Sequence, residues 1–137
     1  MIDVRIGSGS EHVHLQLPVH GEREGWLQGQ VAIAVRGFEG TITAFFEPFE
    51  FQTFEKELRS LYSTLRGTAV LRPREEQLVV TLAGNDRGGI NVTGHAWSEA
   101  VGGNKLEFTF EIDQTFLPVT IAQLEALNAE WSSAAGV

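Results

Sequence analysis

The residue types that could do chemistry in this chain are four histidines, eighteen carboxylates and a scatter of hydroxyls, with no cysteine. His12 and His14, in the run His-Val-His, share one side of an extended segment, and His20, Glu22 and Glu24 follow closely. Imidazole and carboxylate in that density could ligate zinc or a related metal, provided that number and geometry are also met. Nucleophilic catalysis would need a serine or threonine beside a histidine oriented by a carboxylate. Ser8 and Ser10 lie near His12, and Thr93 lies near His95, but no strained strand-to-helix elbow presents a hydroxyl. The Gly84–Gly89 run, GNDRGG, lacks the Lys-Ser or Lys-Thr of a phosphate cradle and leads into a strand pattern, so it reads as a turn. The absence of cysteine excludes thiol catalysis, thiolate metal sites and a disulfide framework.

A different constellation lies further along. Glu107, Glu111 and Asp113 fall on one parity of an alternating stretch, and His95 and Trp97 share the polar parity of the stretch before it. If the two stretches pair, all five side chains face one way: an aromatic anchor beside several carboxylates, a composition suited to docking a basic protein surface. A solvated sheet face is the simpler alternative, and Asp113 is also placed to cap a helix. Trp26 is a second tryptophan with interface potential.

The elements that must position these residues follow from periodicity. Leu106, Phe108, Phe110 and Ile112 alternate with Glu107, Thr109, Glu111 and Asp113, the pattern of a half-buried strand. Ile90 to Trp97 is its partner, and Gly102-Gly103-Asn104 supplies the turn of a long hairpin. Upstream, strands are expected at Met1–Ile6, His12–Val19, Trp26–Arg36 with a bend or bulge at Gly29, Thr41–Phe46, Thr68–Arg72 and Gln77–Ala83. From Phe51 to Leu65 the period changes: Phe51, Phe54, Leu58, Leu61, Tyr62 and Leu65 form one helical stripe, with Pro48 ahead of it and Gly67 as its stop. A last helix, Thr115–Trp131, presents Ile121, Leu124, Leu127 and Trp131. The expectation is an α+β single domain over residues 1–137, an antiparallel sheet of about eight strands with both helices packed on it and Leu106, Phe108, Phe110 and Ile112 beneath Phe54, Leu58 and Leu61. No internal repeat and no linker is visible.

The chain has 137 residues, 42% of them hydrophobic, and a formal charge of -8, which repels phosphate backbones and anionic lipid heads and attracts basic partners. Nucleic acid and membrane are therefore not expected as partners. The start, MIDVRIGSGSEH, has no apolar run of signal-peptide length, and no segment reaches the roughly 18 apolar residues of a bilayer span, so the expected location is cytoplasmic.

Several phrases resemble the WapI-type immunity proteins, small bacterial proteins that neutralise the toxic tip of a contact-dependent wall-associated toxin. They are the helix FEFQTFEKELRSLY, LRGTAVL at Leu65–Leu71, the run from Asn85 to Gly94, and NKLEFTFEIDQTFL at Asn104–Leu117. They carry the resemblance from Trp26 onward; the first 25 residues contribute nothing recognisable. The resemblance implies a non-enzymatic protein, without cofactor, that binds and occludes a cognate toxin domain, and a toxin with a basic cleft would suit an acidic partner. A competing resemblance is to the first cupin motif around His12 and His14, implying a metal-binding β-barrel enzyme. There Pro18 and Val19 stand where the glutamate ligand belongs, and no fitting second-motif histidine follows. A regulatory or structural domain with an unknown partner is the third possibility.

Overall fold

The computed structural model describes residues 1–19 and 26–135, with side chains through residue 132. The first half of the chain forms β1 (Ile2–Gly7), β2 (His12–Leu17), β3 (Leu27–Val35) and β4 (Phe38–Phe46), followed by α1 (Pro48–Thr64). The second half forms β5 (Thr68–Leu71), β6 (Leu78–Gly84), β7 (Gly89–Trp97) and β8 (Lys105–Asp113), then a 3-10 turn (Gln114–Phe116) and α2 (Leu117–Ala135). All eight strands pair with sequence neighbours in antiparallel fashion, and they divide into two four-stranded meanders, β1-β2-β3-β4 and β5-β6-β7-β8. The order of elements thus repeats, four strands and a helix each time, although no sequence repeat accompanies it.

Alternation along each strand decides what is buried. Val4 and Ile6, Val13 and Leu15, Val31 and Ile33, and Ala44 and Phe46 point inward from the first sheet; Leu78, Val80 and Leu82, Ile90 and Val92, and Phe108, Phe110 and Ile112 do so from the second. Together with Phe51, Phe54, Leu58 and Leu61 of α1 and Leu117, Leu124, Leu127 and Trp131 of α2, they form one continuous core. Of the expected β8 set, Leu106 is the member left half-buried.

The helices take a different place from the expected one. The nearest neighbours of α1 are α2 and β5, those of α2 are α1 and β1, and β8 approaches β3 of the opposite sheet. The Phe110 ring lies against Gly7 at the end of β1. The inward face of β8 is therefore covered by the first sheet rather than by α1. The helices instead protect the outer edge strands, whose unpaired backbone groups would otherwise invite another chain. Gln123 of α2 accepts from the Arg5 N–H at 2.8 Å while Thr120 donates to the Arg5 carbonyl. On the other side, Glu57 of α1 accepts from the Val70 N–H at 2.8 Å.

Local signals also resolve differently in detail. No bulge occurs at Gly29, because β3 and β4 stay in register through Gly29 and Ala44. Gly29 instead leaves room for its neighbours: a Cβ would stand 2.8 Å from the end of the Leu17 side chain and 3.1 Å from the Phe46 ring, and both would have to shift. Helix α1 starts at Pro48, the first-turn position that proline tolerates, and it ends on Leu65 in the left-handed region, φ 58°, two residues before Gly67. Tyr62, 44% exposed, lies beside α2 instead of completing the buried stripe.

Glu47 Oε2 and Asn128 Oδ1 are buried without a hydrogen-bond partner, whereas the buried residues Gln77 and Glu50 are paired. Gln77 joins the two sheets, donating to the Thr43 carbonyl at 2.9 Å and the Trp97 carbonyl at 3.0 Å. Glu50 accepts from the Glu47 N–H at 2.7 Å and the Arg74 N–H at 2.8 Å, and burial raises its pKa against the opposing effect of those two bonds.

Candidate functional site

The β7–β8 hairpin is held in an unbroken antiparallel register from Gly89↔Asp113 to Trp97↔Lys105. One parity must turn inward because Ile90, Val92, Phe108 and Phe110 are apolar. Gly94 belongs to that parity and faces Phe108 across the pair; a Cβ there would stand 2.8 Å from the Phe108 ring. The glycine is the hole into which the phenylalanine packs. The other parity then turns out together, and it carries His95 and Trp97 on β7 and Lys105, Glu107, Glu111 and Asp113 on β8.

His95 stands opposite Glu107, and its Nε2 donates to the Glu76 carbonyl at 2.9 Å, which fixes that ring nitrogen as the protonated one. The Lys105 ammonium lies 3.0 Å from Glu107 and 5.4 Å above the Trp97 ring. Its hydrogen bond, then its charge, hold the Glu107 carboxyl below the ordinary range, with a smaller contribution from His95. Glu111 is exposed, its nearest polar neighbour being the Asn85 amide at 3.4 Å. Asp113 caps the 3-10 turn that opens α2, accepting from the Thr115 N–H at 2.9 Å. The five residues share a face, therefore, but in different states. Glu111 is the carboxylate most open to a partner, Glu107 would have to share Lys105, and Asp113 is engaged in holding α2. Lys105, which the sequence reading passed over, conditions the site; its place directly across from Trp97 follows only once the register is known.

The other candidates do not converge. His12 is bonded to the Ser8 carbonyl at 2.9 Å through Nδ1, His14 to Asp3 at 3.0 Å through Nε2, and their ring centroids are 6.4 Å apart. Among the described residues no group of three or more His, Asp or Glu is placed to hold a metal ion. His20, Glu22 and Glu24 lie outside the described residues. Ser8 is tied into its own turn with Glu11. Trp26 lies beneath the Arg74 guanidinium, 5.7 Å from its ring centroid. Among the described residues, no helix is long and apolar enough to cross a membrane.

The outward side of the β7–β8 hairpin thus brings together an imidazole, an indole, an ammonium and carboxylates. The fold is α+β, two four-stranded antiparallel meanders and two helices, with this face on the outward side of the second meander. Residues 5–130 match the family model described as the immunity protein WapI-like family. The chain belongs to that family, and the match takes in the end of β1 and all of β2, where the sequence phrases alone had shown no resemblance. No curated protein matches the chain.

Proposed function

We propose that this chain is a non-enzymatic immunity protein that binds the toxic domain of a cognate bacterial toxin and blocks its action in the cytoplasm of the producing cell. Membership in the immunity family carries this reading, since it implies a toxin as the partner in general terms. The chemistry of the β7–β8 face adds the character of the surface engaged. With a net charge of -8, the chain attracts a domain with a basic cleft, and His95, Trp97, Glu107, Glu111 and Asp113 form the face offered to it. Charge raises the encounter rate, while a few desolvated contacts hold the complex.

The test uses the toxic domain of the cognate toxin, sought among the products of the genes adjoining the one that encodes this chain. Expressed alone in a host cell it should arrest growth, and co-expression of this chain should restore growth and yield a stoichiometric complex on size-exclusion chromatography. Growth arrest unrelieved by a folded, abundant chain would refute the reading.

A further inference from the structure

The outer strands of the two sheets are β1 and β4 in the first, β5 and β8 in the second. An outer strand offers a row of unpaired N–H and C=O groups to any extended chain, so what stands beside each row matters. On β1, Gln123 and Thr120 of α2 occupy the Arg5 N–H and carbonyl. On β5, Glu57 of α1 accepts from the Val70 N–H, and on β4 the Gln77 amide donates to the Thr43 carbonyl. Among the described residues, no side chain and no further strand takes that place beside Glu107, Thr109 and Glu111 of β8.

The phase of the β7–β8 ladder fixes which groups of β8 face that open side. The Ser98 N–H bonds the Asn104 carbonyl at 2.8 Å at one end, and the Gln114 N–H bonds the Gly88 carbonyl at 3.0 Å at the other. Both pairs continue the register of Trp97↔Lys105 and Gly89↔Asp113, so antiparallel alternation makes Leu106, Phe108, Phe110 and Ile112 the residues that bond to β7. Glu107, Thr109 and Glu111 therefore turn their N–H and C=O groups away from β7, toward the edge. The buried side chains of β8 mark the same border: Phe108, Phe110 and Ile112 keep 6%, 6% and 5% exposure, while Ile90 and Val92 of β7 keep none. Neither a proline nor a bulge interrupts the strand.

The row is acidic, with Glu107, Glu111 and Asp113 against Lys105, whose ammonium lies 3.0 Å from Glu107. In an antiparallel pairing of two copies through β8 centred on Thr109, Glu107 of each copy would stand opposite Glu111 of the other. Like charges directly opposite destabilise a strand pair, and the meeting of Lys105 with Asp113 at the two ends would draw on groups already held by Glu107 and by the Thr115 N–H. The edge thus resists a second copy and suits a strand with cations at alternate positions.

We propose that β8 accepts an extended segment of the protein partner as an added strand of the second sheet, with lysine or arginine at alternate positions beside Glu107 and Glu111. This rests on the docking reading above and specifies its form. Main-chain bonds to Glu107, Thr109 and Glu111 supply affinity, and the outward-facing charges supply selectivity and register.

Thr109→Pro separates the main chain from the side chains. Proline there removes an N–H that faces the edge and leaves the bonds to β7 in place, because Phe108 and Phe110 make them. Thr109→Ala keeps that N–H. Binding of the toxic domain is measured for the wild-type chain, both variants and the double reversal Glu107→Lys/Glu111→Lys, and amide hydrogen exchange is followed in the wild-type chain, free and in complex. Thr109→Pro should weaken binding roughly tenfold or more with circular dichroism unchanged, and Thr109→Ala by no more than about twofold. On complex formation the Glu107, Thr109 and Glu111 amides should become protected, while those of Phe108 and Phe110 are slow already in the free chain. Wild-type affinity in a folded Thr109→Pro chain, or edge amides that exchange as fast in the complex as in the free chain, would overturn the added strand; slowed association of the charge reversal would then leave the docking face standing. The exchange measurement needs no variant, so it decides the matter even where Thr109→Pro fails to fold. No complex with the wild-type chain would overturn the docking reading and the added strand with it. A free chain that sediments as a dimer with those three amides protected would seat a second copy on β8 and overturn the assignment to a partner.

Discussion

At the residue scale, the outcome of each titratable group depends on what the fold puts beside it. Glu50 shows this most directly, since a first-turn glutamate of α1 is ordinarily a solvated acid that favours the helix dipole. Here it is buried, and desolvation raises its pKa above the ordinary value of 4.5 in spite of two backbone donors. The folded chain then holds that proton to higher pH than the unfolded chain does. Below the ordinary value both states are protonated and no penalty applies. As pH rises from there through the raised value, the folded state binds more protons than the unfolded state, and stability falls. Glu50→Gln removes that titration. Unfolding free energies of wild type and Glu50→Gln across this window should therefore converge or diverge with pH such that wild type loses ground as pH rises; a difference with the opposite slope would mean that the backbone donors outweigh burial.

At the element scale, β8 carries the clearest division of labour in the chain. Its even-numbered side chains complete the core against the first sheet, and its odd-numbered ones make the candidate face. Phe108, 6% exposed, fills the space above Gly94, and shortening it to alanine leaves a cavity that neither a neighbouring strand nor Gly94 can occupy. Phe108→Ala should cost about 3 to 5 kcal/mol in denaturant unfolding. A loss below about 1 kcal/mol would show that the site collapses or that the ring is not part of the core. The helices contribute at this scale in two ways, with one stripe in the core and polar side chains on the exposed edges of β1 and β5.

At the scale of the whole molecule, the excess of eighteen carboxylates over ten basic residues sets a field that no single pair explains. A basic partner is drawn toward the chain before any contact forms, and the effect fades as the Debye length shrinks to about 8 Å at physiological salt. Reversing Glu107 and Glu111 to lysine changes the net charge by four and does so on the proposed face, so association should slow markedly at low salt and recover toward the wild-type rate as salt rises. Exposed charges contribute little to folding, so the unfolding free energy should move by no more than about 1 kcal/mol. An association rate that is unchanged at low salt would remove this face from the interaction.

Strand and helix identity, inward parity and the Asp113 cap were all readable from residue order, because each depends on side chains within a few positions of one another: alternation needs only neighbours at i+2, a helical stripe only those at i+3 and i+4. The common face of His95, Trp97, Glu107, Glu111 and Asp113 was readable for the same reason, once a hairpin was inferred. What lies opposite a buried face is not a local property. That the eight strands divide into two sheets, that β8 packs on the first sheet while the helices seal the edges of β1 and β5, and that Gly29 yields space to Leu17 and Phe46 were settled only by long-range packing. Phe38 is a further instance, since it shares the inward parity of Ala44 and Phe46 along β4 and is nonetheless 67% exposed.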